Sequence, residues 1–216
     1  HWQIETLDDK RLRVHVSASQ DFFLPSHRKL KVQSAGQLPS GFDPGADYPS
    51  HNHPRGLQMT VFGASDALAS VGIDWAELSQ KVAADQISVY AGSGMSQLDA
   101  QSNGGMLSAR FNDRRVSAKQ CPFGFAEMPA DFINAYILGN LGTTGTSMGA
   151  CASFLYNLRQ AMTDIQNGRS RIAIVGNSEA PIVPEIIEGY AAMSALASDK
   201  DLARLDGGKI DYRRAC

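Results

Sequence analysis

A chain of 216 residues with 43% hydrophobic and 19% charged residues holds enough apolar material for a sizeable buried core. Its 20 Lys+Arg against 22 Asp+Glu give a formal net charge of −2, which excludes the overall basic field expected of a nucleic-acid or anionic-membrane binder. No apolar run approaches the ~20 residues needed to span a bilayer, and the opening HWQIETLDDK is too polar for a signal peptide.

The three cysteines, Cys121, Cys151 and Cys216, form no CxxC pair and no Cys/His spacing suited to zinc. The expectation is therefore a soluble protein of a reduced, cytoplasmic setting, without a structural zinc site.

In chain order, residues 1–56 read as an irregular segment, a surface elaboration holding all five histidines and the loop signals of LPSGFDPGADYPSHNHPRG. His51 and His53 read as a solvated loop pair. From Leu57 the pattern becomes regular. LQMTVFGASDALASVG has apolar residues at helical spacing and stops at Gly72, and Asp74 is placed to cap a second helix beginning WAELSQKV. ISVYA, residues 87–91, is β-branched and aromatic, a buried strand running into the tight loop Gly92-Ser93-Gly94. Pro129 suits a first helical turn, with ADFINAYIL following as far as Gly139.

After Cys151, apolar Phe154, Leu155, Leu158, Met162 and Ile165 are spaced for one helix face, and the helix stops at Asn167-Gly168. RIAIVG, residues 171–176, reads as another buried strand. Alternating helices and short apolar strands give an α/β class with mostly parallel pairing.

The stretch GTTGTSMGACASFLYNLRQAM, residues 142–162, carries Cys151 from a Gly/Thr-rich segment directly into the helix. By residue type Cys151 is either a buried small hydrophobe or a nucleophile. At a helix start, unpaired N–H groups and the helix dipole favour thiolate and can hold the oxyanion of a thioester attack. Small neighbours Gly149, Ala150 and Ala152 leave room for an acyl group. The Gly92-Ser93-Gly94 turn lacks the rest of a dinucleotide fingerprint, and GTTGTSMG lacks the lysine of a phosphate loop. Arg110, Arg114, Arg115 and Lys119 form a basic cluster, either a solvated face or a dock for an acidic partner.

The block GNLGTTGTSMGACASFLYNLRQAMTDIQNGRSRIAIVGNSEA resembles the central segment of the β-ketoacyl-ACP synthases, condensing enzymes of the thiolase superfamily. Its Gly-rich approach, Ala150-Cys151-Ala152-Ser153, the helix ending at Gly168, a strand, and Gly176-Asn177-Ser178-Glu179 follow that family's order. ISVYAGSGM, EGYAAMSALAS and the terminal YRRAC are similar to further family segments, so the resemblance covers most of residues 57–216. It implies the five-layered α/β/α/β/α thiolase fold, with this chain as mostly its N-terminal half, and a homodimer of fatty acid biosynthesis.

By the same resemblance, Cys151 accepts an acyl group from acyl-CoA or acyl-ACP and passes it to the carbanion of decarboxylated malonyl-ACP, with acyl carrier protein as partner and no cofactor. Met95 is implied to line the acyl pocket; core filling is its alternative. The family's two catalytic histidines and lysine have no counterpart here, since no histidine follows His53. The expectation is a partial chain of a longer synthase, against two alternatives: a non-catalytic synthase-like partner subunit, or a thiol-dependent thioester hydrolase built on the G-x-C-x-S of residues 149–153.

Overall fold

The structure is a computed structural model, and it describes residues 2–9, 11–16, 29–179 and 182–214. The chain divides into two units, residues 1–30 and 31–216. His1, His27 and Cys216 lie outside the described residues.

The first unit corrects the irregular reading of the N-terminus. Strands β1 (Trp2–Asp8) and β2 (Arg11–Val16) pair antiparallel, with Ile4 opposite Val14 and Glu5 opposite Arg13. Apolar Ile4 and Val14 alternate with charged neighbours at a period of two, which is the strand signal that the density of charge obscured. The opposite charges meet directly, Arg13 Nη1 lying 3.3 Å from Glu5 Oε2.

In the second unit, α1 (Arg55–Val71) stops where Gly72 adopts a left-handed φ of 69° and donates its N–H to the Ala69 carbonyl. α2 (Trp75–Lys81) starts as predicted, the Asp74 carboxylate accepting from the Ala76 N–H at 2.8 Å. A strand β3 (Ile87–Gly92) follows, every residue of it buried. After the short α3 (Asn103–Ser108), α4 (Met128–Ile133) carries Pro129 in its first turn and runs into a wider π-type turn over Asn134–Leu138. Gly139 ends that turn with φ 63°. The remaining elements are β4 (Thr144–Gly145), α5 (Ser153–Gln166), β5 (Ile172–Asn177), α6 (Pro184–Ala192) and α7 (Asp199–Leu205).

The sheet is parallel and ordered β4-β3-β5, with Ile87 to Gly92 in register against Ile172 to Asn177. Alternation along β3 sends its two faces to different layers. Ile87, Val89 and Ala91 join a core with Ala64 of α1, Val82, and Ala130 and Ile133 of α4. Ser88 and Tyr90 point the other way, where the Tyr90 hydroxyl bonds the Asp164 carboxylate of α5 and Ser88 bonds Ser170. Three consecutive layers, helix, sheet and helix, result, as the thiolase-like fold requires.

That polar face meets the inner side of α5. The residues of α5 buried against the sheet are Ser153, Asn157, Ala161 and Asp164, while Phe154, Leu155, Leu158, Met162 and Ile165 are exposed. The apolar residues keep the helical period on the side away from the sheet, and the sheet side is held by hydrogen bonds from Tyr90 to Asp164 and between Asn157 and Thr146, Ser147 and Asn177. β5, expected to be buried, is half-buried throughout, since β3 is its only strand neighbour among the described residues.

His53, read as solvated, is buried. Tyr48, Phe123, Phe132 and Tyr136 surround its ring at centroid distances of 4.9–5.8 Å, and its Nδ1 lies 3.2 Å from the Tyr48 hydroxyl.

Candidate active site

The carboxyl ends of the parallel strands place the site, as in open α/β sheets generally. From β3 comes the loop Ser93–Met95, from β4 the segment Thr146–Ala150 that leads to Cys151, and from β5 the segment Ser178–Glu179. Gly142 lets the approach pass close to β3, because a Cβ there would collide with the Ile87 backbone, its carbonyl carbon only 2.6 Å away.

Cys151 is exposed, in the middle of a single 3₁₀ turn over Ala150–Ala152, and α5 begins two residues later at Ser153. Ala150 has a left-handed φ of 50°, unusual for a residue with a Cβ. Ser153 holds this bend from both sides. Its buried hydroxyl accepts from the Gly149 N–H at 3.0 Å and donates to the Ala150 carbonyl at 2.7 Å. Cys151 sits exposed on the turn so formed.

Asn157, with 0% exposure, anchors the approach one turn further on. Its Oδ1 accepts from the Ser147 N–H at 2.6 Å, and its Nδ2 donates to Thr146 Oγ1 and to Asn177 Oδ1, both at 3.0 Å. One side chain thereby ties α5 to the segments leaving β4 and β5.

Met95 is half-buried on the β3 loop. Its N–H donates to Glu179 Oε2 at 3.1 Å, the Ser93 hydroxyl donates to the same oxygen at 3.0 Å, and the Gly94 N–H bonds Glu179 Oε1. Burial, then the Glu179 charge, then Cys151 raise the phenol of Tyr190, on α6, above the ordinary value of 10.0.

Tyr190 and Glu179 also border a cleft of about 940 Å³, lined on its apolar side by Leu38, Phe42, Met59 and Ile186. Cys151 and Met95 lie outside its walls. The basic residues Arg110, Arg114, Arg115 and Lys119 are all exposed, interleaved with exposed Leu107, Phe111 and Val116.

Sequence reasoning singled out Cys151 and Met95 and assigned no role to Ser153, Asn157 or Tyr190. Ser153 and Asn157, four positions apart and so on one face of the helix, were the available signal for the first two. Among the described residues no group of three or more His, Cys, Asp or Glu side chains is placed to hold a metal ion, and no helix is long and apolar enough to cross a membrane.

A family model described as "Beta-ketoacyl synthase, N-terminal domain" matches residues 10–207. The chain is 51% identical over all of its 216 residues to the beta-ketoacyl-[acyl-carrier-protein] synthase FabY of Pseudomonas aeruginosa, covering 34% of that protein. It is 31% identical over 210 residues to fatty acid synthase 2 of Mycosarcoma maydis, covering 93% of this chain and 5% of the relative. The crystal structure of the noncanonical ketosynthase FabY from P. aeruginosa superposes with a TM-score of 0.85 over 98% of this chain and 33% of that one. The chain thus spans about a third of the length of FabY.

Proposed function

Because the chain belongs to the β-ketoacyl synthase N-terminal domain family, we propose that it is the nucleophile-bearing part of a β-ketoacyl-ACP synthase of fatty acid biosynthesis. The observation that carries the reading is Cys151, exposed on a turn with a left-handed residue before it and a helix after it, at the carboxyl ends of a parallel sheet. In the first half-reaction the Cys151 sulfur attacks the carbonyl carbon of an acyl thioester. The new C–S bond forms as the carrier thiol leaves with the proton that Cys151 gave up.

In the second, malonyl-ACP loses carbon dioxide, its carbanion takes the acyl carbon from Cys151, and a proton returns to the thiol. The product is a 3-ketoacyl thioester. Backbone N–H groups at the start of α5 are the candidate oxyanion donors, and Met95 lines the acyl pocket.

The partner is acyl carrier protein, an acidic protein in this reading. Exposed Arg110, Arg114, Arg115 and Lys119 supply the complementary charge, and Leu107 and Phe111 the apolar contact. Homodimerisation is implied by the family.

The test is intact mass of the full-length protein carrying this chain, before and after exposure to short and medium acyl thioesters, beside Cys151→Ala. One stable acyl adduct that disappears in the variant supports the reading. Steady thioester turnover without an adduct favours the hydrolase, and no reaction at all favours the non-catalytic partner subunit.

A further inference from the structure

Glu179 is exposed at the end of β5, yet three donors of a single loop converge on its carboxylate: the Ser93 hydroxyl and the backbone N–H groups of Gly94 and Met95. The two segments leave adjacent rungs of the sheet, since Gly92 and Asn177 are register partners. The loop also passes close to the approach to the nucleophile. A Cβ at Gly94 would stand 3.2 Å from Glu179 Oε1 and 3.6 Å from Met148 Cε, three residues before Cys151. Within the loop, the Ser93 hydroxyl accepts from the Ser96 N–H at 2.9 Å and the Ser93 carbonyl accepts from Gln97 Nε2 at 2.6 Å. The loop therefore has its own internal bracing, and Glu179 sets where the braced loop stands relative to the thiol.

We propose that Glu179 is a positioning residue for the acyl-binding loop, fixing Gly94 and Met95 so that Met95 defines the depth of the pocket reached from Cys151. This rests on the ketosynthase reading above. A carboxylate is required because all three facing groups are donors; an amide presents an N–H of its own to one of them. Gly94 and Met95 are only half-buried, so water can satisfy their N–H groups once the carboxylate is gone. Its loss accordingly releases the loop without unfolding it, and the effect falls on which acyl chains are accepted.

The experiment uses the full-length protein carrying this chain, comparing wild type, Glu179→Gln, Glu179→Asp and Ser93→Ala. Maximal rate and half-saturating concentration of Cys151 acylation are measured with short and medium acyl thioesters. In Glu179→Gln the medium-to-short preference changes by about tenfold through half-saturation, and the maximal rate with the short substrate stays within about twofold. Glu179→Asp restores part of the preference. Ser93→Ala, which removes only one donor, shifts it in the same direction by less, and decides the question should Glu179→Gln not fold.

An unchanged preference, or an equal loss with every substrate, overturns the assignment while leaving the ketosynthase reading standing. Failure of wild type to acylate Cys151 overturns both.

Discussion

Replacing Ser153 with alanine should slow acylation of Cys151 without removing the nucleophile. The buried hydroxyl makes two hydrogen bonds, from Gly149 N–H and to the Ala150 carbonyl. At ~1 kcal/mol each, their loss costs about 2 kcal/mol. Ala150 meanwhile sits in a conformation that disfavours an L-residue by ~1–2 kcal/mol, so the bend relies on this clamp. If the whole cost appears as loss of the reactive turn, acylation slows by up to ~30-fold, at about 1.36 kcal/mol per factor of ten.

Ala150→Gly removes the backbone strain but gives the unfolded chain more freedom, worth ~0.4–1 kcal/mol, so its net effect on stability stays within about 1 kcal/mol. Because both changes act on one turn, Ala150→Gly with Ser153→Ala should acylate faster than Ser153→Ala alone. The assay is time-resolved intact mass with one acyl thioester on the full-length protein. A Ser153→Ala variant that acylates within about twofold of wild type would refute the clamp.

His53 supplies a pH prediction. Burial first, then His51 and Lys119, lower its pKa below the ordinary 6.5, so the unfolded chain takes up a proton that the folded one refuses. Stability should fall as pH drops through 6.5 toward the lower folded value, and denaturant titrations across that range should show the slope weaken in His53→Phe. Tyr48, pushed up to about 12 by burial and then by Tyr136, keeps its phenol neutral throughout that range. Tyr90→Phe removes the hydroxyl that bonds buried Asp164 and should lower unfolding free energy by ~1–3 kcal/mol, read from the denaturant midpoint. Arg114→Glu combined with Arg115→Glu should raise half-saturation for an acyl-carrier-protein substrate and leave that for an acyl-CoA unchanged; equal effects on both would remove this patch as the docking surface.

Local signals were the legible ones. Gly72, Asp74, Pro129 and Gly139 mark element ends by backbone geometry and short-range hydrogen bonds, and each does so in the structure. The strand ISVYA was legible because β-branched and aromatic residues are concentrated there. The facing of α5 was not, because periodicity defines two faces and is silent on which meets the sheet. On the sheet side the contact comes from Tyr90 of β3, distant in sequence. His53 was misread for a similar reason: its cage comes from Phe123, Phe132 and Tyr136, some seventy to eighty positions away in the numbering. At the site, Cys151 could be singled out by reactivity and setting, whereas Ser153 and Asn157 act only through the bends they hold.

The hydrogen-bonded inner face of α5 has a consequence for how finely the nucleophile is aimed. Apolar surfaces slide and rotate over one another at small cost, since dispersion and burial carry no direction. Ser153, Asn157 and Asp164 instead bond identified atoms on three neighbouring segments, and a small rotation of the helix would break several of those bonds together. The helix behaves as a keyed shaft: its angle and register are set by directional contacts, and Cys151, just ahead of its first turn, inherits that setting. Positions that would tolerate exchange among Leu, Ile and Met in an ordinary core should tolerate almost nothing here.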